Sequence, residues 1–312
     1  MPELSPEAVI LSRHLDPAER KKIHQRHRRG EVVQLHRGAY VEAQLWLSLD
    51  LDARCRASAL AVAVHFDYEF VFSHLSAAAL WRLPRLGSWP VRPHVAGGRG
   101  AASARSAFVR HGLGIPDVTD SIDTLRVTTL CATVVDVAAM VGFGHAVVVA
   151  DAALRRNARP VPGVPHAAFG QADLFRELGR IAASHGAVKA RRAIEFADGR
   201  ADRPGESLSR VNMRIAGVTA PEIQVSMIGA SGKSYDVDFW WPESNVIGEF
   251  DGKFKYTDPA YMNGRTPQQV LYDEKLREDD LRAAQHRFTR WPWATAVSPT
   301  LLRAHLAGAG VR

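Results

Sequence analysis

The chain is 312 residues long, 46% apolar and 23% charged, with two cysteines; this excludes a disordered chain, a collagen-like repeat, a coiled-coil rod and a disulfide framework. At roughly 100–200 residues per domain, the length points to two or three folded units. Forty Lys+Arg against 33 Asp+Glu give a net charge of +7, a balance that favours polyanions, nucleic acid first.

The opening MPELSPEAVI carries early acids and a proline where a leader peptide would be basic and then apolar. The longest apolar stretch, Ala138 to Leu154, is 17 residues long and is interrupted by His145 and Asp151. Cys55 and Cys131 form no Cys-x-x-Cys pair. We therefore expect a cytoplasmic chain with no membrane partner.

In chain order, residues 1–45 read as short helices followed by a tight hairpin. Asp16 is placed to cap a helix with Pro17 in its first turn, basic residues toward its end, and Gly30 as its stop. EVVQLH and GAYVE then form two short strands joined at Arg37-Gly38. This is a winged-helix outline. Lys21, Lys22, Arg26, Arg28, Arg29 and Arg37 supply cations that could track a phosphate backbone.

Residues 46–158 form a central domain. It mixes helices near 50–64, 74–82, 131–141 and 144–156 with short strands near 70–72, 91–96, 106–111 and 125–128. The GGRG loop at 97–100 joins two of those strands, and Ser73 reads as a cap for the helix that His74 opens. The 13 histidines show no zinc-ligand spacing. Residues 159–204 are a linker and helical connector, beginning with the Pro/Gly-rich RPVPGVP and carrying helices near 171–184 and 187–198.

Residues 205–312 follow the order helix, three strands, long loop, helix, strand, helix, with the strands over 221–228, 234–241 and 246–251. YDVDFWW alternates strictly: Asp236, Asp238 and Trp240 share one face, Val237, Phe239 and Trp241 the other. Of the two adjacent indoles, one enters the core; the other either shields the hairpin or stacks on a base. With PESN at 242–245 as the turn, Trp241 pairs with Val246. Asp238 then falls opposite Glu249 and Asp236 opposite Asp251, while Val237, Phe239, Val246 and Phe250 face the core.

Directly opposed side chains lie about 4.5–5.5 Å apart at Cβ, and like charges there are destabilising. Two arrangements offset that repulsion: a divalent cation, of which Mg²⁺ keeps waters for chemistry, or a solvated acidic face neutralised by nearby Arg or Lys. Lys253 and Lys255 follow on the same parity, where a lysine can stabilise charge developing on a phosphoryl group.

At this point the C-terminal third resembles the PD-(D/E)xK nuclease superfamily, and within it the very short patch repair endonuclease-like domains of bacteria. The likeness rests on Glu206, Asp238-Phe239, Glu249-Phe250-Asp251-Gly252 with Lys255, the segment Asp273 to Leu281, and Arg290-Trp291. It covers about 205–295 and implies a restriction-endonuclease-like sandwich with Mg²⁺, or Mn²⁺ in its place. Asp238, Glu249 and Asp251 would hold the metal, Glu206 would assist, and Lys253 or Lys255 would act on the transition state. The superfamily usually has its lysine two residues after the Glu249 position; here that residue is Asp251. Glu206 has the alternative of complementing a helix dipole. Arg277 and Arg282 either contact phosphate or belong to a solvated salt-bridged face.

The N-terminal half is similar to AbiEi-type antitoxins of type IV toxin–antitoxin systems, through RRGEVVQLHRGAY, FSHLSAAALWRLP at 72–84, VTTLCATVVDVA at 127–138 and ADAALR at 150–155. That resemblance implies DNA binding and promoter control. The expectation is thus an α/β (α+β multi-domain) protein: a winged-helix-like module, a mixed central domain and a nuclease-like sandwich. Its expected function is a Mg²⁺-dependent DNA endonuclease or nickase. The alternative is a non-catalytic antitoxin-like repressor with a cognate toxin or a second copy as partner. An RNA-processing enzyme would use the same site chemistry.

Overall fold

The computed structural model describes residues 3–66, 68–165, 168–184, 186–252 and 266–312. The chain is mixed α/β and divides into two units, Met1–Phe196 and Ala197–Arg312. Among the described residues no helix is long and apolar enough to cross a membrane.

The first unit begins as its caps dictate. Asp16 and Glu19 form a reciprocal capping box, with N–H to carboxylate distances of 2.8 and 3.0 Å, and Pro17 opens helix α1 (Pro17–Arg28). Strands β2 (Val32–His36) and β3 (Ala39–Glu42) follow, and β1 (Ile10–Leu11) pairs with the other edge of β3. Ile23, Val32 and Tyr40, with Ile10 and Leu15, form the small core between helix and sheet. Gly38 turns the hairpin at φ +90°, and a Cβ there would come within 2.8 Å of the His65 ring.

After the short helix α2 (Ala43–Ser48), α3 (Leu51–His65) and α4 (His74–Leu80) lead into a six-stranded mixed sheet ordered β6-β7-β5-β4-β9-β8. Its strands are β4 (Val71–Phe72), β5 (His94–Ala96), β6 (Ser103–Ala104), β7 (Val109–His111), β8 (Thr119–Ile122) and β9 (Leu125–Thr128). Two of these, β6 and β8, had no pattern in the sequence: Ser103–Ala104 is only two residues long, and TDSI is polar. The GGRG segment therefore leads into an edge strand before β7. Helices α5 (Leu130–Met140), α6 (Phe143–Arg155), α7 (Gln171–Leu178) and α8 (Ala187–Phe196) complete the unit. LCATVVDVAAM in α5 is buried along most of its length, which its almost wholly apolar sequence requires.

The second unit runs α9 (Pro204–Ala216), β10 (Glu222–Ile228), β11 (Ser234–Trp241), β12 (Val246–Asp251), α10 (Pro267–Ala283), β13 (Arg287–Pro292), α11 (Trp293–Ala296) and α12 (Pro299–Gly308). Its sheet is ordered β10-β11-β12-β13; the first two pairings are antiparallel and the last is parallel. Trp241 pairs with Val246 and the register runs to Phe239↔Gly248, as the four-residue turn predicts. One sheet face buries Phe239, Trp241, Val246, Phe250 and Trp291 against Met213 of α9 and Leu302 and Leu306 of α12. The other buries Val237 and Ile247 against Leu281 of α10, with Trp240 and Phe288 alongside.

Val237 thus departs from the expected common face with Phe239. The cause lies between them. Gln224 of β10 adopts φ +51°, and the β10–β11 ladder passes from Ile223↔Phe239 to Val225↔Val237 with no pair at Gln224 and Asp238. A left-handed residue in a strand interrupts the two-residue alternation, so the faces exchange there.

Candidate functional site

Asp238 lies at this interruption. Its Oδ2 accepts the backbone N–H of Phe250 at 3.0 Å, beyond the last β11–β12 pair at Phe239↔Gly248. The Gln224 amide nitrogen donates to Glu206 Oε2 at 3.0 Å and reaches Asp238 Oδ1 at 3.4 Å, so a single N–H₂ group bridges the two carboxyls. Glu206, buried in the first turn of α9, also accepts the Asp202 N–H at 2.8 Å. Burial, then the adjacent Asp238 charge, pushes the Glu206 carboxyl up to about 8. Glu206 is brought this close because α9 begins without side chains in the way: a Cβ on Gly205 would fall 2.1 Å from the Phe250 ring.

The other acids go elsewhere, and the expected opposed pairs do not form. Glu249 shares its parity with Ile247 and so faces α10. Its carboxylate is held by Arg277 of α10 at 2.6 Å and by Arg290 at 3.2 Å. Arg290 is its direct register partner on β13 and also reaches Glu278 at 3.2 Å and Glu274 at 3.7 Å. Asp236 pairs with Ser226 of β10 and accepts its hydroxyl at 2.5 Å. Asp251 ends β12, half-buried, with Oδ1 lacking a hydrogen-bond donor among the described residues. Among the described residues no three Asp, Glu, His or Cys side chains are grouped to hold a metal ion, so Asp238, Glu249 and Asp251 do not form the expected ligand set. Lys253 and Lys255 lie outside the described residues.

Among the candidate phosphate contacts, Lys21, Lys22, Arg28, Arg29 and Arg37 are exposed on α1, its C-terminal end and the hairpin turn. Arg26 instead ties the helix to the hairpin through Glu42 at 2.7 Å and Glu31 at 3.3 Å. Arg277 also donates to the Asp236 carbonyl, and Arg282 pairs with Glu278 at 2.7 Å while lying over the Phe288 ring. Both are engaged within their own unit, which favours the salt-bridged face weighed from the sequence. Trp241 is the indole that enters the core, and Trp240 packs edge-on with His286.

Two arrangements had no sequence signature. Gln224 is an ordinary strand residue until its backbone angle is known. His74, His94 and His111 come from α4, β5 and β7, with ring centroids 3.6 Å apart for His74–His111 and 4.7 Å for His94–His111. Ser73 makes no side-chain cap; its hydroxyl lies 3.0 Å from His74 Nδ1, and Asp136 lies 3.8 Å from the same nitrogen. Asp136 is held in turn by Arg180 at 2.5 Å. Burial lowers all three imidazoles, His94 to about 4, and raises Asp136 to about 6.

Comparison with known proteins yields two curated relatives. The chain is similar to an uncharacterized protein of Mycobacterium tuberculosis strain CDC 1551 / Oshkosh and to one of strain ATCC 25618 / H37Rv, each 38% identical over 77 residues. The match covers 25% of this chain and 28% of each relative. No protein-family model and no solved structure matches the chain.

Proposed function

We propose that the protein binds DNA through its basic first unit and hydrolyses a phosphodiester bond at Glu206 and Asp238 of its second, as a Mg²⁺-dependent endonuclease or nickase. The observation that carries this reading is the carboxyl pair at the sheet interruption, bridged by Gln224. The reading is supported by the helix, three strands, helix, strand order and the mixed sheet of the unit around it, the layout expected of a PD-(D/E)xK-like sandwich. The net positive charge supports the DNA partner: residues 1–196 hold 25 Lys+Arg against 18 Asp+Glu, whereas 197–312 hold 15 of each. On this reading residues 1–45 are a winged-helix-like module that presents Lys21, Lys22, Arg28, Arg29 and Arg37 to the phosphate backbone.

The pair suits a hard divalent cation, since Mg²⁺ usually takes one or two carboxylates and keeps its remaining positions for water and phosphate. Glu249, neutralised by two arginines, does not fit as a ligand in this arrangement. When bound, Mg²⁺ would supply Lewis-acid polarisation of the phosphodiester and a water acidified toward neutral pH. The chain's own residues do the positioning. The Phe250 N–H fixes Asp238, Gln224 sets the spacing of the two carboxyls, and Glu206 can hold or release a proton near pH 8.

Glu249 favours a second reading. Its neutralisation by Arg277 and Arg290 suits a non-catalytic, antitoxin-like regulator that keeps the sandwich as a binding platform. Cleavage of supercoiled plasmid in Mg²⁺ or EDTA separates the two. Metal-dependent nicking that D238N loses is the expected result. Salt-sensitive DNA binding with no nicking would instead establish the regulator.

A further inference from the structure

The first unit contains a cavity of about 520 Å³ between β2, α2, α3 and the segment around residues 85–91. Two half-buried tryptophans, Trp46 and Trp89, line it, and each has a guanidinium over its ring: Arg54 at 5.4 Å from the Trp46 centroid and Arg85 at 5.5 Å from that of Trp89. These four groups are held in place by neighbours. The Trp89 indole N–H donates to Asp52 at 2.7 Å, Arg85 pairs with the same carboxylate at 3.4 Å, and Arg54 Nε donates to the Trp46 carbonyl at 3.0 Å. Among the described residues no carboxylate lines the cavity. Its mouth includes apolar surface left in solvent, Val91 at 93% and Leu51 at 59% exposure.

We propose that this cavity captures the base of an unpaired nucleotide, with Arg54 and Arg85 meeting its phosphate. Stacked indole and guanidinium planes are the surfaces on which extruded bases settle. The volume lies in the range of small-ligand sites, whereas a base within a duplex stack cannot enter a pocket. The lining is mainly apolar, with two indoles and two guanidiniums set into it, which suits a flat ring that carries an anionic group. Gln34 of β2 forms part of the wall, and the same strand leads to the exposed Arg37 at the hairpin turn, so a strand followed along the basic hairpin reaches the cavity. The inference rests on nucleic acid as the partner but not on cleavage.

The test uses the full chain and labelled dT₁₀, U₁₀ and a matched DNA duplex, with thymidine 5′-monophosphate as competitor. W89A is expected to weaken single-strand binding at least tenfold while duplex binding stays within twofold. W89F, which keeps the packing, is expected to fall between W89A and the wild type, and the monophosphate to displace the single strand from the wild type. Whether dT₁₀ or U₁₀ binds tighter identifies DNA or RNA as the source. Equal losses on single strand and duplex, unchanged single-strand affinity in W89A, or no single-strand binding by the wild type would overturn the proposal. D238N keeps the two readings apart: W89A should weaken single-strand binding by the same factor in the D238N background as in the wild type, whatever D238N does to nicking.

Discussion

Glu206 and Asp238 crowd two carboxyl groups around one amide nitrogen, and the proton on Glu206 is what makes that tolerable. The folded chain keeps this proton to about pH 8, whereas the unfolded chain releases it near the ordinary glutamate value of 4.5. The stabilisation from holding it is therefore full below pH 4.5 and fades as pH rises through about 8. Thermal unfolding of the full chain should show second-unit stability falling between pH 6 and pH 9, with E206Q flattening that slope. Identical slopes in E206Q and wild type would contradict the assignment. Glu249 makes the opposite case, a buried carboxylate with two guanidiniums, those of Arg277 and Arg290, within ion-pair distance. R290Q should cost about 3 kcal/mol by chemical denaturation, since it leaves a buried charge short of a partner. Adding E249Q to R290Q should recover part of that loss.

At the scale of elements, β12 is wedged between helices and tryptophans, and two glycines make room for it. A Cβ on Gly248 would lie 2.7 Å from the Trp241 ring and 2.9 Å from that of Trp291, and one on Gly205 would meet Phe250. G248A should destabilise the second unit by about 1–3 kcal/mol, the usual cost of overpacking, and be seen as a lowered unfolding midpoint. In the first unit, His74, His94 and His111 join α4, β5 and β7 as neutral rings. Their folded values are lowered from 6.5, so the unfolded chain takes up protons first and stability is lost as pH falls below 6.5. With His94 lowered to about 4, that group alone should remove about 2 kcal/mol at pH 5. Hydrogen exchange in peptides covering β5 and β7, corrected for intrinsic rates, should accelerate between pH 7 and pH 5. Unchanged protection would count against the neutral cluster.

Across the whole molecule, elements with a clear period were legible and contacts made over long sequence separations were not. Asp16, Pro17 and Gly30 marked α1, and YDVDFWW with its four-residue turn gave the β11–β12 register, because caps and alternation are local properties. The face exchange at Asp238 escaped, since it depends on the left-handed backbone of Gln224, and no residue type announces that. The partners of Glu249 escaped for a related reason: Arg277 and Arg290 meet it only once α10 carries the chain across to β13. A Mn²⁺ titration at pH 8.5, followed by the electron paramagnetic resonance of the free ion, tests the central claim most directly. The expected result is one ion held per chain in the wild type, lost in D238N and kept in E249Q. No bound ion, or a site that survives D238N, would contradict a reaction centre at Glu206 and Asp238.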